Sequence, residues 1–80
     1  NQLISELTLA KSKLEYFEKT ANPNAAIIIK NANTSYTNGD ISYIEYMQGM
    51  QMAREIKLNY FASLNRYNEI VINLQYLMNK

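Results

Sequence analysis

The stretch Ser35-Tyr36-Thr37-Asn38-Gly39-Asp40-Ile41-Ser42-Tyr43-Ile44-Glu45-Tyr46 decides the fold, because it holds the signals that end one helix, reverse the chain and begin another. Gly39 is one of only two glycines and follows an apolar-periodic segment, and Asn38 beside it tolerates the left-handed conformation. The pair reads as a helix C-terminal cap, so a first arm ends near Asn38. Ser42 followed three residues later by Glu45 reads as a capping box, in which the serine oxygen takes the amide of Glu45 and the glutamate reaches back to the amide of Ser42. A second arm therefore starts at Ser42. Ile41 before that cap and Tyr46 four residues after it are placed to pack as a hydrophobic staple. These local signals agree on a tight helical hairpin tip.

The totals narrow what the two arms can be. Eighty residues make one small domain, which yields roughly 3–5 kcal/mol of net stability when it stands alone. With no cysteine there is neither a disulfide framework nor a thiolate metal site, and with no histidine there is no imidazole base or ligand. Together with the lack of a glycine-rich phosphate loop, that argues against an enzyme and against a bound cofactor or metal. The net charge of +1 comes from interspersed Lys and Glu, so no basic face for nucleic acid is expected. No apolar run is long enough to span a bilayer, and the chain begins at Asn1, so it reads as a piece of something longer that does not itself contact the membrane.

Along the first arm, Leu3, Leu7, Ala10, Leu14, Phe17 and Ala21 recur at alternating steps of four and three, the seam of a helix over about 2–21 that packs against another helix. Glu15 and Lys19 form an i,i+4 pair in the favourable orientation on the solvated face. Asn22-Pro23-Asn24 then predicts a break or strong kink, because proline lacks the amide for the ladder and its ring meets the carbonyl of Lys19, at about 3 kcal/mol in a helix interior. Asn22 would be the N-cap and Pro23 the first position of a second helix over about 23–38. Ala25, Ile28 or Ile29, Ala32 and Tyr36 keep the rhythm, so the same face continues across the break. By composition, Ala25-Ala26-Ile27-Ile28-Ile29 also fits a buried strand; helix is the preferred reading.

The second arm, about 42–79, has no proline and one glycine, Gly49, and as one helix would be roughly 57 Å long. Its expected seam is Tyr43, Tyr46, Met50, Ala53, Ile56 (or Tyr60), Leu64, Tyr67, Val71, Leu74 and Met78. Leu58, Phe61, Ile70, Ile72 and Leu77 form a second stripe. Two stripes need neighbours on two sides, so the all-α antiparallel coiled-coil hairpin, with its first arm broken near Pro23, should stand in a larger wall of helices. In isolation it should expose an apolar stripe and pair with copies of itself.

The words SYTNGDISYIEYMQ (35–48) at the tip, IKLNYFASLNRYNEIVINLQYL (56–77) on the return and LEYFEKTANPNA (14–25) in the first arm, in that order and spacing, resemble the TolC-like outer-membrane efflux family. The match runs over about residues 14 to 77 and is nearest to the branch serving heavy-metal and cation pumps of the resistance-nodulation-division type. The alternating strands of that family's barrel and its other helical hairpin are not in this sequence. The resemblance implies that residues 1–80 are the carboxy-terminal periplasmic hairpin of a trimeric duct anchored in the outer membrane. Such a duct works with a periplasmic adaptor protein and an inner-membrane pump to export metal cations or small molecules. A free-standing coiled-coil or three-helix interaction module is the alternative.

On that resemblance, Asn38, Gly39 and Asp40 correspond to the turn that meets the adaptor, beside their local role in closing the hairpin. Glu45 and Gln48 align with positions where family members often carry an acidic pair at the periplasmic aperture of the pore. Gln48 has no charge, and for Glu45 the capping box with Ser42 is the simpler role. Met47, Met50 and Met52 suggest soft cations, yet with no cysteine or histidine they read as adaptable packing residues. Tyrosines 43, 46, 60, 67 and 76 read as packing residues whose hydroxyls reach the rim.

Overall fold

The computed structural model describes residues 2–79. Helix α1 runs Gln2–Tyr16, a π-helical turn covers Phe17–Ala21, α2 runs Asn22–Thr37 and α3 runs Tyr43–Met78. No strand occurs among the described residues, so the strand alternative for 25–29 falls away. The chain forms two long helical arms that pack against each other. Glu6 meets Arg66, Phe17 lies against Tyr60 and Tyr36 stacks on Tyr46, so contacts converge on the turn from both ends and the arms run in opposite directions. The result is a rod of 61 × 17 × 16 Å with a radius of gyration of 17.7 Å, where a compact domain of this length would have about 12 Å. A rod two helices thick buries one stripe per arm and nothing else.

The reversal is built as the sequence implies. Helix α2 ends with Asn38 still right-handed (φ −79, ψ −7), and Gly39 follows at φ +79, the left-handed conformation a Cβ would disfavour. The amide of Asp40 donates to the Ser35 carbonyl at 2.8 Å and that of Gly39 to the Tyr36 carbonyl at 3.1 Å, the paired bonds of a Schellman cap. Extended Ser42 (φ −76, ψ 166) then opens α3. The Glu45 amide donates to Ser42 Oγ at 3.1 Å and the Ser42 amide to Glu45 Oε1 at 3.2 Å, completing the capping box. Ile41 and Tyr46, the expected staple, are both half-buried.

In the first arm every expected seam residue from Leu3 to Ala21 is buried or half-buried, and Ala25, Ile28, Ile29 and Ala32 carry the same face onward. The break expected at Pro23 is not found. Ala21 and Asn22 keep helical angles (φ −69, ψ −44 and φ −64, ψ −45), so Asn22 is not an N-cap and the helix passes through Pro23. What changes is the turn before it: the Asn22 amide donates to the Phe17 carbonyl, five residues back. The seam explains why. Phe17, Ala21 and Ala25 are spaced four and four, one residue more than a heptad allows, and one i→i+5 turn absorbs the extra residue and keeps all three inward. The wide bond is closed by Asn22, the residue before Pro23, whose ring nitrogen has no donor for the next step of the ladder.

In α3 the buried seam differs from the expected one at several places. Ile70, assigned to the second stripe, is the most deeply buried of the described residues at 1% exposed. Ser63 is buried and Gly49 half-buried, because the seam needs small residues where the arms come close. A Cβ built on Gly49 would lie 3.4 Å from Ala32 Cβ. Tyr43 and Met78, expected in the seam, are exposed at the two ends of α3. Tyr46, Met50, Ala53, Ile56, Tyr60, Leu64, Tyr67, Val71 and Leu74 are buried or half-buried as expected.

Candidate functional site

The tip is a small, rigid knob. Asn38 and Asp40 are exposed on either side of Gly39, and the Schellman bonds and capping box fix the backbone between the two helices. Beneath it, Tyr36 of the first arm stacks on Tyr46 of the second with ring centroids 4.8 Å apart and planes 25° from parallel. Tyr43 lies 6.0 Å from Tyr36 and 6.4 Å from Tyr46, which makes a three-ring cluster across the two arms. Sequence reading placed these tyrosines separately along each seam and did not join them. The signal was that Tyr36 and Tyr43 lie three and four residues either side of Gly39, with Tyr46 one turn further on the same face of α3, which an antiparallel turn converts into contact.

Ser42 and Glu45 are where the capping box needs them, and the Glu45 carboxylate is engaged by the Ser42 amide. Glu45 and Gln48 are both exposed. They share a flank of α3 with Glu55 and Glu69, at neighbouring heptad positions on one side of the buried seam. Arg66 lies on this flank too, 3.5 Å from Glu6 of α1 and 3.6 Å from Glu69. Between arms on the same side runs a groove of about 350 Å³ whose polar lining includes Lys13, Asn59 and Arg66. Each exposed ion pair contributes about 0–1 kcal/mol, so Glu6–Arg66 fixes register more than it adds stability. The expected Glu15–Lys19 pair forms at 3.9 Å, in solvent.

The opposite flank of α3 carries a row of large apolar residues interspersed with Gln51, Arg54, Asn65, Asn68 and Gln75. Ile44, Met47, Leu58, Phe61 and Ile72 are exposed there, the residue separations of 14 and 28 keeping them at two adjacent heptad positions. Of the second stripe, Leu58, Phe61, Ile72 and Leu77 thus remain unburied, at 60%, 51%, 62% and 51% exposure. The groove on this side, about 480 Å³, is walled by Ala25, Ala26, Ile29, Met50, Ala53 and Phe61. Met50 packs between the arms, whereas Met47 and Met52 are exposed, so the three methionines do not form one packing cluster. Tyr46, Tyr60 and Tyr67 pack as expected; Tyr43 and Tyr76 are exposed.

Among the described residues no three His, Cys, Asp or Glu side chains come together as metal ligands, and no helix is long and apolar enough to cross a membrane. What the arrangement offers chemically is therefore surface: a knob at one end, a polar flank and an apolar flank. Comparison with protein families, with curated proteins and with solved structures finds no match for this chain.

Proposed function

We propose that the chain is an antiparallel coiled-coil hairpin serving as one element of a helical wall, in the periplasmic tunnel of a TolC-like efflux duct. The observation that carries the reading is the exposed apolar flank of α3 on a rod whose seam is already filled by its own first arm. A neighbour on that side completes the burial, and the polar flank with Glu45, Gln48, Glu55 and Glu69 is left for water. In this reading the rod stands in a homotrimer, with the tip at Asn38, Gly39 and Asp40 directed to a periplasmic adaptor and, through it, to an inner-membrane pump. The chain has a structural role and no catalytic one. The sequence resemblance described above supplies the family; the rod's length and its rigid tip agree with it.

Reading the coding sequence on either side of these 80 residues tests the proposal directly. A duct requires barrel-type strands or a second similar hairpin in the same frame, and a gene encoding only this hairpin would refute it in favour of a free-standing interaction module. The aperture role has its own test. A glutamine at a capping box still accepts the reach-back bond, so Glu45→Gln should leave the melting temperature nearly unchanged. In the full-length duct it should reduce cation selectivity in single-channel recordings; an unaltered conductance would remove Glu45 from the pore. For the tip, Asp40→Lys should weaken adaptor capture while the helix content stays constant.

A further inference from the structure

The apolar groove carries an uncompensated charge. Arg54 and Lys57 line it alongside the alanines, and no Asp or Glu does. Both are exposed, and, like Lys11, Lys13 and Lys30, neither makes an ion pair among the described residues, whereas Arg66 and Lys19 do. The positions one turn away on α3 explain this: Met50, Gln51 and Leu58 flank Arg54, and Ala53, Tyr60 and Phe61 flank Lys57, so no carboxylate is within i,i±3 or i,i±4 reach. The acidic residues of α3, Glu45, Glu55 and Glu69, all lie on the other flank.

We propose that this groove docks an amphipathic α-helix whose apolar stripe is bordered by carboxylates. The exposed Ala26, beside Ala25 and Ala53 buried at the floor, lets a helix approach closely, and Ile44, Met47, Leu58 and Ile72 extend the contact along α3. From Ile44 to Ile72 the flank is about 42 Å long, room for roughly four heptads of partner. The partner's carboxylates then stand opposite Arg54 and Lys57, which set its register and exclude basic helices. A second copy docked groove to groove about a two-fold axis is the wrong occupant, because it brings Arg54 and Lys57 of both copies together. A small amphiphile is also a poorer fit, since the trough is open along its length and would enclose little of it. The docking holds for a duct wall and for a free-standing module alike.

The test uses two synthetic helices of about four heptads with the same Leu/Ala stripe, one bordered by Glu and the other by Lys, titrated into the chain by fluorescence anisotropy. At about 0.01 M salt the Glu helix should bind at least tenfold more tightly than the Lys helix, and the gap should close near 1 M. The double variant Arg54→Glu, Lys57→Glu should reverse the preference, and the milder Arg54→Gln should narrow it, with circular dichroism checking that each remains helical. Equal affinity for the two helices, or a preference indifferent to these substitutions, overturns the proposal. So does binding of dodecanoate that depends on Arg54 while neither helix binds, or self-pairing of the chain through this groove at low salt.

Discussion

The two glycines make opposite predictions. Gly39 sits at φ +79 with open space around it, so the obstacle to a side chain there is backbone conformation alone. Gly39→Ala should cost about 1–2 kcal/mol. Gly49 lies inside α3 with ordinary helical angles, and an added Cβ would meet Ala32 Cβ at 3.4 Å and Ile28 Cγ2 at 3.9 Å, a close but normal contact. Gly49→Ala should therefore stabilise by about 0.5–1 kcal/mol, through helix propensity and added burial. Thermal melts resolve both, since each kcal/mol moves the midpoint of a domain this small by about 4–8 °C; a rise for the first or a fall for the second contradicts the assignment. Ser42→Ala removes an acceptor and should lower stability by about 1 kcal/mol, with fraying confined to the first turn of α3 in amide exchange. At this scale the turn was fully legible, because Gly39 and Ser42–Glu45 act through bonds within a few residues. The depth of Ile70 was not, because Ile70 and Val71 are adjacent and equally apolar, and which of them faces inward is set by the other arm.

At the scale of the element, the turn from Phe17 to Ala21 is where sequence reading and structure part most. The four-four spacing of Phe17, Ala21 and Ala25 was visible, and so was Pro23, but each has two solutions: end the helix, or widen one turn and continue. Continuation wins because Ala21, Ala25 and Ala32 must all reach the same partner arm, and a true break would leave the ladder open on both sides of Pro23. This account predicts a coupled pair of variants. Deleting the exposed Asn24 restores a four-three seam and removes the need for the wide turn, but leaves proline in a regular α-helical interior at about 3 kcal/mol. Combined with Pro23→Ala, the same deletion should recover the parent's stability or exceed it, with an unbroken i→i+4 ladder by amide exchange and by structure. If the deletion alone is harmless, the extra residue and the proline are unrelated.

For the whole molecule the decisive feature is that the two sides of the rod differ. Among the described residues only Ile70 of the large side chains is fully buried, so the isolated rod has little core to stabilise it and an apolar row that invites association. The expectation that copies pair through the second stripe followed from apolar residues alone; that Arg54 and Lys57 line one groove with Ala25, Ala26 and Ile29 of the first arm, and that no Asp or Glu does, is visible only once the arms are side by side. Their repulsion opposes groove-to-groove pairing, and the repulsion is long-ranged when the Debye length is about 30 Å, at 0.01 M salt, and nearly absent when it is about 3 Å, at 1 M. Apolar burial, by contrast, is not weakened by the added salt. Self-association of the chain should therefore rise with ionic strength, the reverse of what ion-pair-driven assembly does. Sedimentation equilibrium at the two salt concentrations measures it: a monomer that becomes partly dimeric at high salt fits, whereas a dimer that is tight at low salt and falls apart at high salt would mean that the cations face acids of the second copy. Arg54→Gln should shift association toward lower salt, because it removes one charge from each side of the pair and leaves the apolar trough intact.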